Sequence, residues 1–139
     1  MHRRPLGRGR RLAALAALVI IIGCFLPWWQ VGGGDGLPPM SENAFSGSGI
    51  VVFLTALATV ALVALPYATD RPVVIDRALS YVFLAALGWT GFAIRLVSLA
   101  TVNLQAIFPD RAPGLWIAAL GLVILGRAAW EIAAEPPLR

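Results

Sequence analysis

M-H-R-R-P-L-G-R-G-R-R-L-A-A-L-A-A-L-V-I-I-I-G-C-F-L-P-W-W, residues 1–29, decides how this chain is to be read. Five arginines among the first eleven residues run into eighteen residues without a charge, Leu12 to Trp29. As α-helix that stretch rises ~27 Å, close to the ~30 Å hydrocarbon core of a bilayer. Pro27 ends or bends the helix, and Trp28 and Trp29 fall where an aromatic belt is expected to anchor a span at its interface. A charged head before an apolar run also describes a signal peptide, and Ile21-Ile22-Gly23-Cys24 resembles a bacterial lipobox. Phe25 to Trp29 prolong the apolar run and three further apolar segments follow, which favours a retained span with Cys24 as a small buried hydrophobe.

Composition points the same way. Of 139 residues 59% are hydrophobic, and the mean hydropathy is +0.81. A soluble domain of one compact unit carries roughly 45–50% apolar residues. All eleven cations are arginine, against seven acidic residues, for a net charge of +4 and a pI near 10.6. Such a pI in a soluble protein suggests nucleic acid. Here the arginines crowd one flank of an apolar segment, where topology or contact with anionic lipid accounts for them and no nucleic-acid partner is expected. With one cysteine (Cys24) and one histidine (His2), internal disulfides, cysteine-ligated zinc and bis-histidine haem are ruled out within one chain. No metal or other cofactor is expected.

Residues 30–48, Q-V-G-G-G-D-G-L-P-P-M-S-E-N-A-F-S-G-S, are expected to form an irregular loop that carries Asp35 and Glu42 and no cation. A short strand over Trp28 to Val31 is a weaker expectation. The Gly32-Gly33-Gly34-Asp35-Gly36 run lacks the Gly-Lys-Ser/Thr ending of a phosphate loop. The second span is expected at 49–68, with Thr55 and Thr59 on one packing face and their hydroxyls turned back to the helix's own carbonyls. A third follows at 78–101 and a fourth at 113–132. Pro113 stands at a natural first helical position, Trp116 serves as a further interface anchor, and Glu131 is spaced to pair with Arg127.

Arg95 is the one charge well inside a span, and such a residue is a functional-site hypothesis by default. It lies sixteen residues beyond Leu79, thus ~24 Å along the helix and near the outer edge of the core. Tyr81, Ala85, Gly88, Gly91 (or Phe92), Arg95 and Ser98 share a stripe, and small residues at Gly88, Gly91 and Ser98 suit helix packing. Arg95 is therefore expected to face the bundle or a partner, in an ion pair or carbonyl contacts. Lipid-headgroup contact and a substrate-anion site are the alternatives, and Asp35, Glu42 and Asp110 are its candidate partners. Apart from Glu131 at the interfacial end of the fourth, the apolar segments hold no Asp, Glu, His or Lys, which weakens both catalysis and proton-coupled transport.

Phe25-Leu26-Pro27-Trp28 closing the first span, the glycine-rich loop, and Pro113-Gly114-Leu115-Trp116 opening the fourth resemble small bacterial four-span integral membrane proteins. That resemblance covers the whole topology and implies no activity and no catalytic residue. The expected fold is thus all-α: a four-helix transmembrane bundle of two in–out–in hairpins, a single domain with both termini cytoplasmic, in the plasma (inner) membrane. The expected function is that of a non-catalytic accessory or scaffold protein. Its partners would be the lipid bilayer and either further copies of itself or a larger membrane complex. The alternative is a small-molecule or lipid binder or transporter that uses Arg95 and the long outer loop.

Overall fold

The structure, a computed structural model, describes residues 6–34, 36–69 and 78–135. Four helices make up most of it: α1 (Arg8–Phe25), α2 (Gly49–Ala68), α3 (Ala78–Val102) and α4 (Pro113–Ala134). Each carries exposed large apolar side chains as well as buried ones. Contacts run α1–α2, α2–α3, α3–α4 and α4–α1, so the helices close into a ring around a shared core. Helices α2, α3 and α4 are long and apolar enough to cross a membrane, which makes this a helical membrane protein. Helix α1 falls outside that set, because Arg8, Arg10 and Arg11 occupy its first turn.

Helix α1 also begins and ends earlier than its apolar run. It stops at Phe25, and Leu26 takes an extended conformation (φ −83°, ψ 158°). The physical reason is Pro27, whose ring disfavours the helical region for the residue before it. The chain then turns inward, so Trp28 is buried in the core and faces no headgroup layer.

The expected irregular loop is in part a hairpin. Strand β1 (Trp29–Val31) pairs antiparallel with β2 (Met40–Glu42), in the register Trp29–Glu42, Gln30–Ser41, Val31–Met40. The bundle is therefore not purely helical. Between the strands Gly32, Gly33 and Gly36 have positive φ of 83°, 83° and 78°, which L side chains rarely adopt. A Cβ on Gly32 would in addition lie 2.7 Å from the Pro38 carbonyl oxygen. The glycine run is a turn device. Asp35 lies outside the described residues.

Helix α3 ends at Val102 and passes into a single 3-10 turn, Leu104–Ile107, whose first residue is preceded by Asn103. The Asn103 side-chain oxygen accepts from the Gln105 N–H (3.1 Å), which caps that turn. Pro113 then opens α4 at its first turn, where a missing N–H costs nothing.

The closest helix contact joins α1 and α4, which run antiparallel along their full length. A Cβ on Gly23 would stand 2.6 Å from the Ala118 nitrogen, and one on Gly121 would stand 2.9 Å from the Ile20 nitrogen. At the opposite end a Cβ on Gly9 would lie 3.1 Å from the Ile132 nitrogen. Between them Ala13, Ala16, Ala17, Ala118, Leu122, Leu125 and Ala128 are buried. Small side chains let the backbones approach, and dispersion gathered along that seam replaces the hydrophobic effect that lipid cannot supply.

Candidate functional site at the hairpin cap

The end of the bundle that carries the hairpin is closed by interlocking backbone bonds. A helix end leaves its last four carbonyls without helical partners. At α1 the Trp28 indole N–H donates to the Gly23 carbonyl (2.9 Å) and the Ala44 N–H to the Cys24 carbonyl (3.4 Å). Trp28 N–H in turn donates to the Glu42 carbonyl (2.8 Å), and Gly114 N–H to the Pro27 carbonyl (3.0 Å). The Trp28 ring packs edge-on against Phe92 of α3, with centroids 5.8 Å apart. Cys24 is fully buried within this seam.

Arg95 reaches up from α3 into this cap. Its Nη2 donates to Glu42 Oε2 at 3.2 Å, with the two side chains 11% and 50% exposed. Of the three candidate acidic partners, Glu42 is the one in contact. Asp110 is exposed beyond the 3-10 turn and makes no ion pair among those described. The guanidinium also lies beneath Gly47: a Cβ there would be 2.9 Å from Arg95 Nη1, and Gly47 has φ +98°. The backbone conformation thus favours glycine at that position, and a side chain there would push the guanidinium aside. Arg95 Nε and the Trp29 indole N–H are buried without an acceptor among the described residues. Beside Glu42 opens a small polar pocket of about 220 Å³, lined by Phe25, Pro27, Ser41, Glu42, Asn43 and Ser46.

The Arg95–Glu42 pair is asymmetric, and its two halves respond differently to mutation. Arg95→Leu removes a costly charge and leaves a half-exposed carboxylate that water can solvate. Glu42→Ala strands a nearly buried guanidinium without a counter-charge. Stability of the purified protein in mild detergent should fall by about 1 kcal/mol for Arg95→Leu and by more, about 2–3 kcal/mol, for Glu42→Ala. Equal losses would refute the asymmetry, and unmeasurable ones would show that the pair holds nothing in place.

The remaining packing residues fall as follows. Thr55 and Thr59 are buried, and their hydroxyls donate to the carbonyls of Val51 and Thr55, each at 2.8 Å. Gly88 lies against Leu122 and Thr55, and Gly91 against Val51, so α3 touches both its neighbours through them. Ser98 does not belong to that face. It is exposed, and Leu99 is buried in its place, because the helical period carries the stripe from Gly88 through Phe92 and Arg95 to Leu99. Trp29 is half-buried on β1, whereas Trp116 is exposed on α4 and donates its indole N–H to the Ile107 carbonyl (2.8 Å).

The seam along Gly9, Gly23, Gly114 and Gly121 was not among the packing residues expected from sequence. Its signal was the spacing of small residues in the first and fourth segments, which reads as ordinary apolar content until the two helices are paired.

A second opening lies on the lateral surface. Helices α2 and α3 are in contact at Thr55–Gly88 and Val51–Gly91, and diverge towards their other ends. There they leave an apolar groove of about 830 Å³, lined by Ala58, Ala61, Leu65, Leu79, Phe83 and Ala86 among others. Among the described residues no cluster of three or more His, Cys, Asp or Glu is placed to hold a metal ion. No known protein family, curated protein or solved structure matches the chain.

Proposed function

We propose that this is a non-catalytic accessory or scaffold protein of the plasma (inner) membrane of a bacterium, acting through helix contacts with itself or with a larger membrane complex. The observation that carries this reading is the lateral groove between α2 and α3. It is apolar, opens sideways, and has alanines at Ala58, Ala61 and Ala86 that let another helix come close. The cap at the other end supports the same reading, since Arg95 is engaged by Glu42 and acts as a strut.

In this reading α1 is the first of four spans. Its antiparallel packing along the whole of α4, itself long and apolar enough to cross, supports that role. Both termini are cytoplasmic. Nine arginines lie in the head, the second loop and the tail, and one (Arg111) lies in the two loops on the opposite side. A cysteine placed at Ser46 should therefore react with a membrane-impermeant maleimide from outside intact cells, and one placed at Arg8 should not.

The function is tested by purification in a gentle detergent, followed by native mass spectrometry. A homo-oligomer or a retained membrane partner is expected, and Ala61→Trp, which fills the groove, should release it. Purification as a bare monomer would overturn the scaffold reading.

A second reading rests on the pocket of about 220 Å³ beside Glu42, the residue that pairs with Arg95. It makes the protein a binder or transporter of a small molecule or lipid. Labelling of a cysteine at position 95 from the aqueous side would favour it over the scaffold reading.

A further inference from the structure

The end of the bundle opposite the cap carries a charge arrangement that neither function uses. Arg8 at the start of α1 and Arg127 near the end of α4 converge on one carboxylate, that of Glu131. Arg8 Nε lies 3.8 Å from Oε2 and Arg127 Nε lies 3.2 Å from Oε1. The two arginine side chains are 86% and 66% exposed, and the glutamate 18%. Two cations thus share one anion at a solvent-facing rim. Arg10 and Arg11 stand in the same turn as Arg8, and Glu135 is the other acidic residue described there, so the rim keeps a positive surplus.

The same place has an apolar side. On α4 the positions Trp116, Leu120, Val123, Arg127 and Trp130 follow one another at spacings of four and three, which puts them on one face. All but Arg127 are exposed large hydrophobics, and Trp130 is 71% exposed. This stripe faces away from the bundle. Arg127 interrupts it one turn short of Trp130, so a cation sits where an apolar surface ends, next to an indole of the kind that settles at a membrane interface.

We infer that Arg8 and Arg127 form a binding site for the phosphodiester headgroup of an anionic phospholipid, with its acyl chain lying along Val123 and Leu120 and Trp130 beside the headgroup. The inference rests on this protein being embedded in a membrane, and not on which partner fills the lateral groove. Charge complementarity selects an anionic over a zwitterionic lipid, since one guanidinium's worth of charge is left over after Glu131 is neutralised. The apolar stripe running from Arg127 along Val123 and Leu120 selects a lipid over a free phosphate. Guanidinium is suited to the role, because its planar fork matches two phosphate oxygens at once.

The test uses the full chain in a neutral detergent, with lipid adducts counted by native mass spectrometry. Phosphatidylglycerol should be retained and should raise the melting temperature. Phosphatidylcholine should do neither, and inorganic phosphate or glycerol phosphate alone should leave the melting temperature unchanged. The double variant Arg8→Gln, Arg127→Gln should weaken phosphatidylglycerol binding about thirty-fold, at the usual contribution of each arginine near a membrane surface. Raising the salt concentration with the unmodified protein should weaken it as well, a measurement that needs no variant to fold. Equal retention of both lipids, salt-independent binding, or a double variant that binds as before would each overturn the site. So would stabilisation by free phosphate alone.

Discussion

Gly114→Leu is expected to abolish the folded protein, while Gly126→Leu, twelve residues further along the same helix, is expected to be silent. A side chain at Gly114 would collide with the carbonyl oxygens of Leu26 and Gly23, and neither can swing away as the tip of a flexible side chain would. To accommodate leucine, α1 and α4 must separate. That would break the Gly114 N–H bond to Pro27 and open the seam at Gly23 and Gly121. Overpacking a core commonly costs about 1–3 kcal/mol, and a clash with rigid backbone on both sides lies at or above the top of that range. At Gly126 a Cβ meets nothing within 4 Å. Yield of monodisperse protein and resistance to SDS would separate the two variants. Similar behaviour of both would refute the close α1–α4 packing.

Trp28→Ala should be at least as damaging. Its ring is fully buried against Phe92, and truncating a buried aromatic side chain costs about 3–5 kcal/mol. The loss also removes the indole donor from the Gly23 carbonyl at the end of α1, which adds about 1–3 kcal/mol for a stranded acceptor. Trp28→Phe keeps most of the apolar volume and loses the donor, so it should fall between the two. The exposed Trp130 is the reference, and Trp130→Ala should change unfolding little. An unfolding curve in which Trp28→Ala matches Trp130→Ala would show that the cap is not held by this residue.

Much of the architecture could be read from residues alone. The three later helices are marked by apolar runs bounded by Gly49, Ala78 and Pro113, and their extents in the structure differ from expectation by at most two residues. The meeting of Arg95 with the loop that follows α1 could also be anticipated. One charge near the end of an apolar helix needs a counter-charge, and few were within reach. What escaped were features set by the far side of a contact. Trp28 reads as a belt residue until Pro27 turns the chain inward. Ser98 and Leu99 are separated by a single step of helical phase, which no local pattern resolves. Of the strand pair only the first strand was a weak expectation, over Trp28 to Val31; its partner Met40–Glu42 is too short to show alternation. The arginine pair on Glu131 was half visible. The i,i+4 spacing showed Arg127, whereas Arg8 enters only because the first and fourth helices lie side by side.

That last adjacency has a consequence for biogenesis. The tightest seam in the molecule joins α1 to α4, segments separated by most of the chain, and the ring closes only through it. During synthesis α1 emerges from the ribosome long before the helix it is shaped to fit, and pairing across so great a distance is slow to form. Until α4 arrives, the groove of glycines and alanines on α1 stays open to lipid or to other proteins of the insertion machinery. Assembly is therefore a late event, completed by the fourth helix like the last stave of a cask.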